Sequence, residues 1–320
     1  MIDIEDRSKT NNKAKELPIL NLDKGYPNIL FAGSGLCYSE DYKWTAVIEN
    51  IAENKDNVSM LKAGNSSSFQ LPNTVLAYSL ASVDDNKRHD SYIDAFKNYE
   101  HKPNDIIKNL LGLPFDAILT TNYTYEFECA QKRDYYSLKS KLKYANCTEK
   151  DNKYLIHTYN QINKGIPIWH IHGELRRKTS MILSHDEYAR LIQNVLNFNT
   201  NRGNYYEENR NHLKVKSWID YFLVGNIYFL GYSLDFSEFD IWWLLNRRLR
   251  ENTEIGKVYF YDPVDNTANN IYKHEALKMR GVNVETLGFT VNDKEFDYTN
   301  FYANAVNDIK EKIQNITNLY

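Results

Sequence analysis

The chain has 320 residues, with 39 Lys and Arg against 42 Asp and Glu, and this near balance gives no electrostatic case for nucleic acid or an anionic membrane as main partner. Its three cysteines, Cys37, Cys129 and Cys147, lie far apart without a CxxC pair, which excludes a four-cysteine zinc knuckle and argues against a disulfide framework. The opening residues lack the apolar core of a signal peptide and no run of about 18 apolar residues occurs, so a soluble, cytoplasmic protein in a reducing compartment is expected.

Residues 1–20 read as a polar tail. Asn28–Ala32 is expected as the first buried strand, running straight into Gly33-Ser34-Gly35. Glu40–Asn54 has helical spacing, with Trp44, Val47, Ile48 and Ile51 on one side. Ser67–Ala81, Ser91–Tyr99 and Asn104–Leu111 are further helix candidates, and no strand interrupts them. This excursion over 40–113 is too long for a simple crossover, so a helical insertion subdomain is expected. Ala117–Leu119 reads as a buried strand that stops in Thr120-Thr121-Asn122-Tyr123-Thr124. A helix from about Tyr125 to Arg133 follows, then a Lys-rich polar stretch to Lys153 that reads as solvated surface.

Ile166–Ile171 is expected as a strand ending in His172-Gly173, and Ser184–Leu196 as a helix. Asn197–Asn211 is a polar excursion without periodicity. Trp218–Leu223 leads into Ile227–Leu230, the strongest strand signal, which ends in Gly231-Tyr232-Ser233. A helix over Ser237–Arg250, a strand over Val258–Tyr261 ending in Asp262-Pro263, and a last strand over Val282–Leu287 complete the core. Tyr302, Val306, Ile309, Ile313, Ile316 and Tyr320 form one stripe of an amphipathic helix over 298–320, expected to dock on its own sheet. Strands alternating with helices predict an α/β, Rossmann-like, doubly wound and mainly parallel sheet, built from residues 21–39 and 114–290.

Four strand ends carry polar or glycine motifs: Ala32 to Gly35, Thr120 to Thr124, His172-Gly173, and Gly231 to Asp235. A doubly wound sheet gathers its strand ends along one edge, so these can converge on a single crevice. Gly33 and Gly35 follow a strand and precede a helix, the context that lets backbone amides approach a diphosphate, although a tight turn explains them equally well. The acid that a dehydrogenase places about twenty residues further on, at the end of a second strand, is not expected here, because the chain reads as helical around Glu49. The Thr and Asn cluster at 120–124 is either a site or an ordinary helix N-terminus. His172 at a strand tip has an ordinary pKa of about 6.5, suited to a base near neutrality, and is otherwise a core or turn histidine. Gly231 and Ser233 read as a second phosphate- or ribose-contacting turn. Asp262 either accepts ribose hydroxyls or opens the next helix.

The set of strand–GSG, TTNY, HG, the segment Ile182-Leu183-Ser184-His185-Asp186-Glu187-Tyr188, and strand–GYS resembles the bacterial sirtuin-like proteins. It is most similar to the branch of anti-phage defence systems that degrades NAD, and Trp44 fits the aromatic of that branch after its glycine turn. The resemblance runs from about residue 28 to 290. It implies that Asn122 positions water and the nicotinamide ribose and that His172 is the catalytic histidine. It further implies that Gly33, Ser34 and Gly35 form the diphosphate turn and that Gly231 and Ser233 form the second nucleotide turn; Ala32, Thr121, Thr124 and Asp262 are further candidates for cofactor binding. Two departures stand out. Thr124 occupies the place of an aspartate, and the zinc module is absent, which weakens protein deacylation and leaves no metal expected.

The resemblance implies an NAD glycohydrolase that releases nicotinamide and ADP-ribose, with NAD as substrate. The alternative is a sensor or scaffold that binds NAD or ADP-ribose without turning it over. A freely active NADase would poison its host. The expected partners are therefore further copies of this chain or a protein encoded nearby, such as an ATPase, an Argonaute-like protein or a nucleotide-handling protein. The C-terminal helix and the 197–211 excursion are the candidate contacts.

Overall fold

Strands that are apolar at nearly every position have no wet face, so the sheet they form must be covered on both sides. The structure, a computed structural model, describes residues 18–37, 90, 93, 96, 101–131, 156–162, 165–200, 205–236, 238–251, 255–263, 268–288, 290–292 and 295–317. The strands are β1 (Ile19–Leu20), β2 (Asn28–Ala32), β3 (Ala117–Thr120), β4 (Ile168–His170), β5 (Leu213–Lys214), β6 (Asn226–Leu230), β7 (Val258–Pro263), β8 (Val282–Leu287), β9 (Thr290–Asn292) and β10 (Glu295–Asp297). The helices are α1 (Asp105–Leu111), α2 (Glu126–Gln131), α3 (His185–Thr200), α4 (Tyr205–Glu208), α5 (Trp218–Val224), α6 (Phe239–Glu251), α7 (Ala268–Lys278) and α8 (Tyr298–Thr317).

Six strands form one sheet in the order β4-β3-β2-β6-β7-β8, and every pairing in it is parallel. The chain steps outward from β2 to β4, then returns to place β6 on the other side of β2. The order reverses between β2 and β6, which makes the carboxyl ends of these two strands the switch point where a doubly wound sheet binds its ligand.

The two-residue period of each strand sorts the core into two layers. Ile29, Phe31, Ala117, Leu119, Ile227, Phe229 and Phe260 face one way, where Trp169, Trp218 and Phe222 join them. Leu30, Ala32, Ile118, Tyr228, Leu230, Tyr259 and Tyr261 face the other way. There they meet Ile107 and Leu110 of α1 and Phe301, Ala305, Ile309 and Ile313 of α8. The C-terminal stripe is thus spent on the chain's own sheet, as its amphipathic period predicts.

Other differences from the sequence reading have local causes. Val282–Leu287 is not the last strand, because β9 and β10 pair antiparallel after it. Strands of three residues are too short for alternation to register. The chain is already paired at β1, which lies antiparallel to β5 before residue 21. The 197–211 excursion holds the end of α3, the short α4 and a 3-10 turn over Arg210–His212. Aromatics anchor it: Tyr206 is buried and donates to Asp220 Oδ1 at 2.9 Å, and Phe198 packs against the core. Of the helical insertion, Asp105–Leu111 is observed, with Asn104 as its cap accepting from the Ile107 amide at 2.9 Å. The candidate helices at Glu40–Asn54 and Ser67–Ala81, most of Ser91–Tyr99, Trp44, the stretch 132–153 and residues 1–17 lie outside the described residues.

Candidate active site

The two glycine turns at the switch point are built against each other. Gly33 donates to the Leu230 carbonyl at 3.0 Å, and Gly35 to the Gly231 carbonyl at 2.8 Å. A Cβ on Gly33 would sit 2.2 Å from the Gly231 oxygen, so no larger residue fits while the turns touch. Gly231 itself has φ +67, a left-handed conformation that glycine adopts at little cost. The amides of Gly33 and Gly35 are therefore committed to the neighbouring turn. Ser34 is the exposed residue of the first turn and Ser233 that of the second. Leu234, with its side chain fully buried, is held at φ 48, a conformation uncommon outside glycine.

Asn122 sits beyond β3, directly under the first turn, and is buried. Its backbone amide donates to Thr120 Oγ1 at 3.1 Å, and Thr120 in turn donates to the Ala32 carbonyl at 3.0 Å. Its side-chain Nδ2 donates to the Gly33 carbonyl at 3.3 Å and to Cys37 Sγ at 3.0 Å. A carbonyl oxygen can only accept, so this contact fixes which way the amide points. Asn122 Oδ1 is left with no protein partner among the described residues. Burial, and next the Glu126 carboxylate, push the Cys37 thiol well up, so it stays protonated beside Asn122.

His172, beyond β4, is buried, and its Nε2 lies 2.9 Å from Asp240 Oδ2 at the start of α6. Burial alone would depress the imidazolium, but the charge and hydrogen bond of Asp240 outweigh it and raise His172 above its ordinary value. Tyr188 packs edge-on against the imidazole, with ring centroids 5.5 Å apart. Desolvation pushes the Glu238 carboxyl, close enough to act on His172, up to about 7. The loops bearing Asn122 and His172 are stitched together. His172 O accepts from the Ile182 amide at 2.9 Å, Ile182 O accepts from Tyr123 Oη at 2.9 Å, and Tyr123 O accepts from the Leu175 amide at 3.1 Å.

The remaining expected residues divide. Ala32 closes β2 inside the core, and Thr121 is half-buried at the end of β3. Thr124 is buried and donates to Glu126 Oε2 at 2.7 Å. The carboxylate that the aspartate-to-threonine departure removes from position 124 is thus present two residues later, on α2. Asp262 Oδ2 is held by Lys273 Nζ and by His274 Nε2, each at 2.8 Å, and Lys273 also donates to the Ser233 carbonyl at 3.2 Å. Those contacts give Asp262 a structural task, tying α7 to the second turn. Among the described residues, no three His, Cys, Asp or Glu side chains converge so as to hold a metal ion. No helix among them is long and apolar enough to cross a membrane.

Sequence reasoning missed Asp240, Glu238, His170 and Glu128. The residue pattern His170-Ile171-His172 offered the one available signal, a second histidine on the same face of the same strand tip.

No curated protein matches the chain. A family model of the SIR2-like domain matches residues 116–287, a span that begins at β3, ends at β8 and includes Asn122, His172, Gly231 and Asp240. With more than half of its length matched over the strands that carry the site, the chain belongs to the SIR2-like domain family.

Proposed function

We propose that the chain hydrolyses the nicotinamide–ribose bond of NAD, releasing nicotinamide and ADP-ribose. SIR2-like domains use NAD. The observation that carries the hydrolytic reading is the Asn122 amide, whose nitrogen is tied down by Gly33 and Cys37 while Oδ1 is left as an acceptor at the switch point. An acceptor held in one orientation suits the placing of a water molecule or a ribose hydroxyl. In the reaction the C–N bond breaks, and nicotinamide leaves as a neutral molecule with the bonding electron pair. The oxygen of water bonds to the anomeric carbon, and the proton it loses passes to His172. Asp240 steadies the imidazolium that results, as a buried carboxylate does beside any general-base histidine. Ser34 and Ser233 are the exposed hydroxyls of the two turns available to phosphate and ribose.

We further propose that this activity is the effector of an anti-phage, abortive-infection system. The motif set resembles that branch, and uncontrolled loss of NAD would harm the host. Activity is then gated by self-assembly or by a partner encoded nearby, an ATPase, an Argonaute-like protein or a nucleotide-handling protein. The test is release of nicotinamide and ADP-ribose from NAD by wild type, Asn122→Ala and His172→Ala, each alone and after co-expression with its genomic neighbours. Loss of turnover in both variants supports the assignment, and turnover unchanged in Asn122→Ala overturns it.

A second reading, binding of NAD or ADP-ribose without turnover, is favoured by Thr124, whose hydroxyl is committed to Glu126. NAD bound by wild type with no nicotinamide released under any of these conditions would establish it.

A further inference from the structure

Behind Asn122 lies a buried set of charges that the hydrolytic reading does not use. His170, at the end of β4, is 2% exposed, and Glu128, on α2, is 0% exposed. His170 Nδ1 lies 2.6 Å from the Asn122 backbone oxygen, and His170 Nε2 lies 2.8 Å from Glu128 Oε1. The Asn122 oxygen can only accept, so Nδ1 carries a proton. Glu128 Oε1 also accepts from Asn160 Nδ2 at 3.0 Å, and the same amide donates to Glu174 Oε2 at 2.8 Å. Arg177 Nε completes the chain, 3.1 Å from Glu174 Oε1. A carboxylate that already accepts from an amide is set up to accept from Nε2 as well, which leaves His170 doubly protonated and paired with an anion.

Such a pair does little for stability, because replacing a buried ion pair by apolar residues of the same volume is often neutral or stabilising. Its position offers a different reason. Asn122 lies in the loop after β3, where the strand ladder no longer holds the backbone. His170 grips the Asn122 carbonyl from the adjacent strand, while Thr120 holds the amide nitrogen and Gly33 and Cys37 hold the side chain.

We propose that His170 is a positioning residue: braced by Glu128, its imidazolium fixes the Asn122 backbone so that Asn122 Oδ1 is aimed at the reacting centre. This rests on the assignment of Asn122 to the NAD site and adds the element that aims it. The two hydrogen bonds of His170 can be removed one at a time. In His170→Asn the side-chain amide nitrogen takes the place of Nδ1, keeping the hold on Asn122 and losing the bond to Glu128. In His170→Gln it takes the place of Nε2, keeping Glu128 partnered and releasing Asn122.

The experiment measures kcat and KM for nicotinamide release from NAD in both variants and in wild type, with thermal melting as the control for folding. Positioning predicts that His170→Gln has a kcat about tenfold or more below that of His170→Asn, since small misplacements of a reacting group are costly. The melting temperatures of the two should be similar. Equal kcat in two variants of equal stability overturns the proposal, and so does a kcat that merely follows the melting temperature. If wild type binds NAD and releases no nicotinamide, the hydrolytic reading alone fails. The comparison then moves to NAD affinity by calorimetry, with His170→Gln expected to be the weaker binder and equal affinities overturning the proposal. If the variants do not fold, the ring-nitrogen shifts of His170 in labelled wild type decide. Two protonated nitrogens at neutral pH are expected, and a bare Nδ1 overturns it.

Discussion

Asp240 Oδ2 lies 2.9 Å from His172 Nε2, joining the tip of β4 to the helix that follows the second glycine turn, 68 residues away. The pair is buried, and the carboxylate holds the imidazole in one orientation with its pKa raised. A histidine serving as a base works when neutral, so turnover should fall as pH drops through that raised value. Asp240→Asn removes the charge. It should move the acidic limb of the pH–rate profile to lower pH and reduce the maximal rate by about tenfold or more. A limb that stays in place would show that His172 is not the titrating base.

Asn122→Asp is the sharpest test of the clamp on the site asparagine. The substitution keeps the shape but faces the Gly33 carbonyl with an acceptor in place of a donor. A buried acceptor left without its donor costs about 1–3 kcal/mol. Turnover should therefore be lost together with a drop in stability of that order, whereas Asn122→Ser should lose turnover with a smaller drop. Chemical denaturation alongside nicotinamide release separates the two effects.

Gly33→Ala pushes the two turns apart, because its Cβ would meet the Gly231 oxygen and the Tyr232 Cα at 2.2 and 2.5 Å. Both neighbours are backbone and neither can swing away. A loss of about 2 kcal/mol or more is expected, with NAD binding weakened by more than stability alone accounts for. Calorimetric titration at a temperature where the variant remains folded reads the second effect.

Glu238 should leave a signature in stability against pH. Desolvation raises its folded pKa to about 7 from an ordinary value of 4.5. With a folded value above the unfolded one, its contribution is fully present below pH about 4.5 and is lost as pH rises through about 7. The loss is on the order of 3 kcal/mol. Glu238→Gln should flatten the curve across that window, and an unchanged curve would show that the carboxyl is ionised in the folded protein throughout it.

Much of the framework was legible in the sequence. The strands of the main sheet were recognised, the inner ones (β2, β3, β6 and β7) from their apolar runs, because a strand covered on both faces must be apolar along its length. Asn122 and His172 stood out for the converse reason: polar side chains at the point where an apolar run stops have to face something other than core. Their supporting residues had no such contrast. Asp240 lies in the first turn of α6, where an acidic residue is unremarkable beside the helix dipole. Glu128 sits on α2 between Phe127 and Cys129 with no periodic cue. His170 falls inside the strand, two residues before a histidine that already had a role to explain.

What the sequence by itself determined is therefore local. Side-chain period and strand termination depend on neighbours along the chain, and they specified the parallel α/β class, the four motif-bearing strand tips and the docking of the C-terminal helix. What only the tertiary structure decided is who meets whom across the sheet. Asn122 reaches Gly33 across 89 residues, His170 reaches Glu128 across 42, and His172 reaches Asp240 across 68. Those distances are set by strand order and helix packing, and a buried charge finds its partner only after the core has excluded water from both.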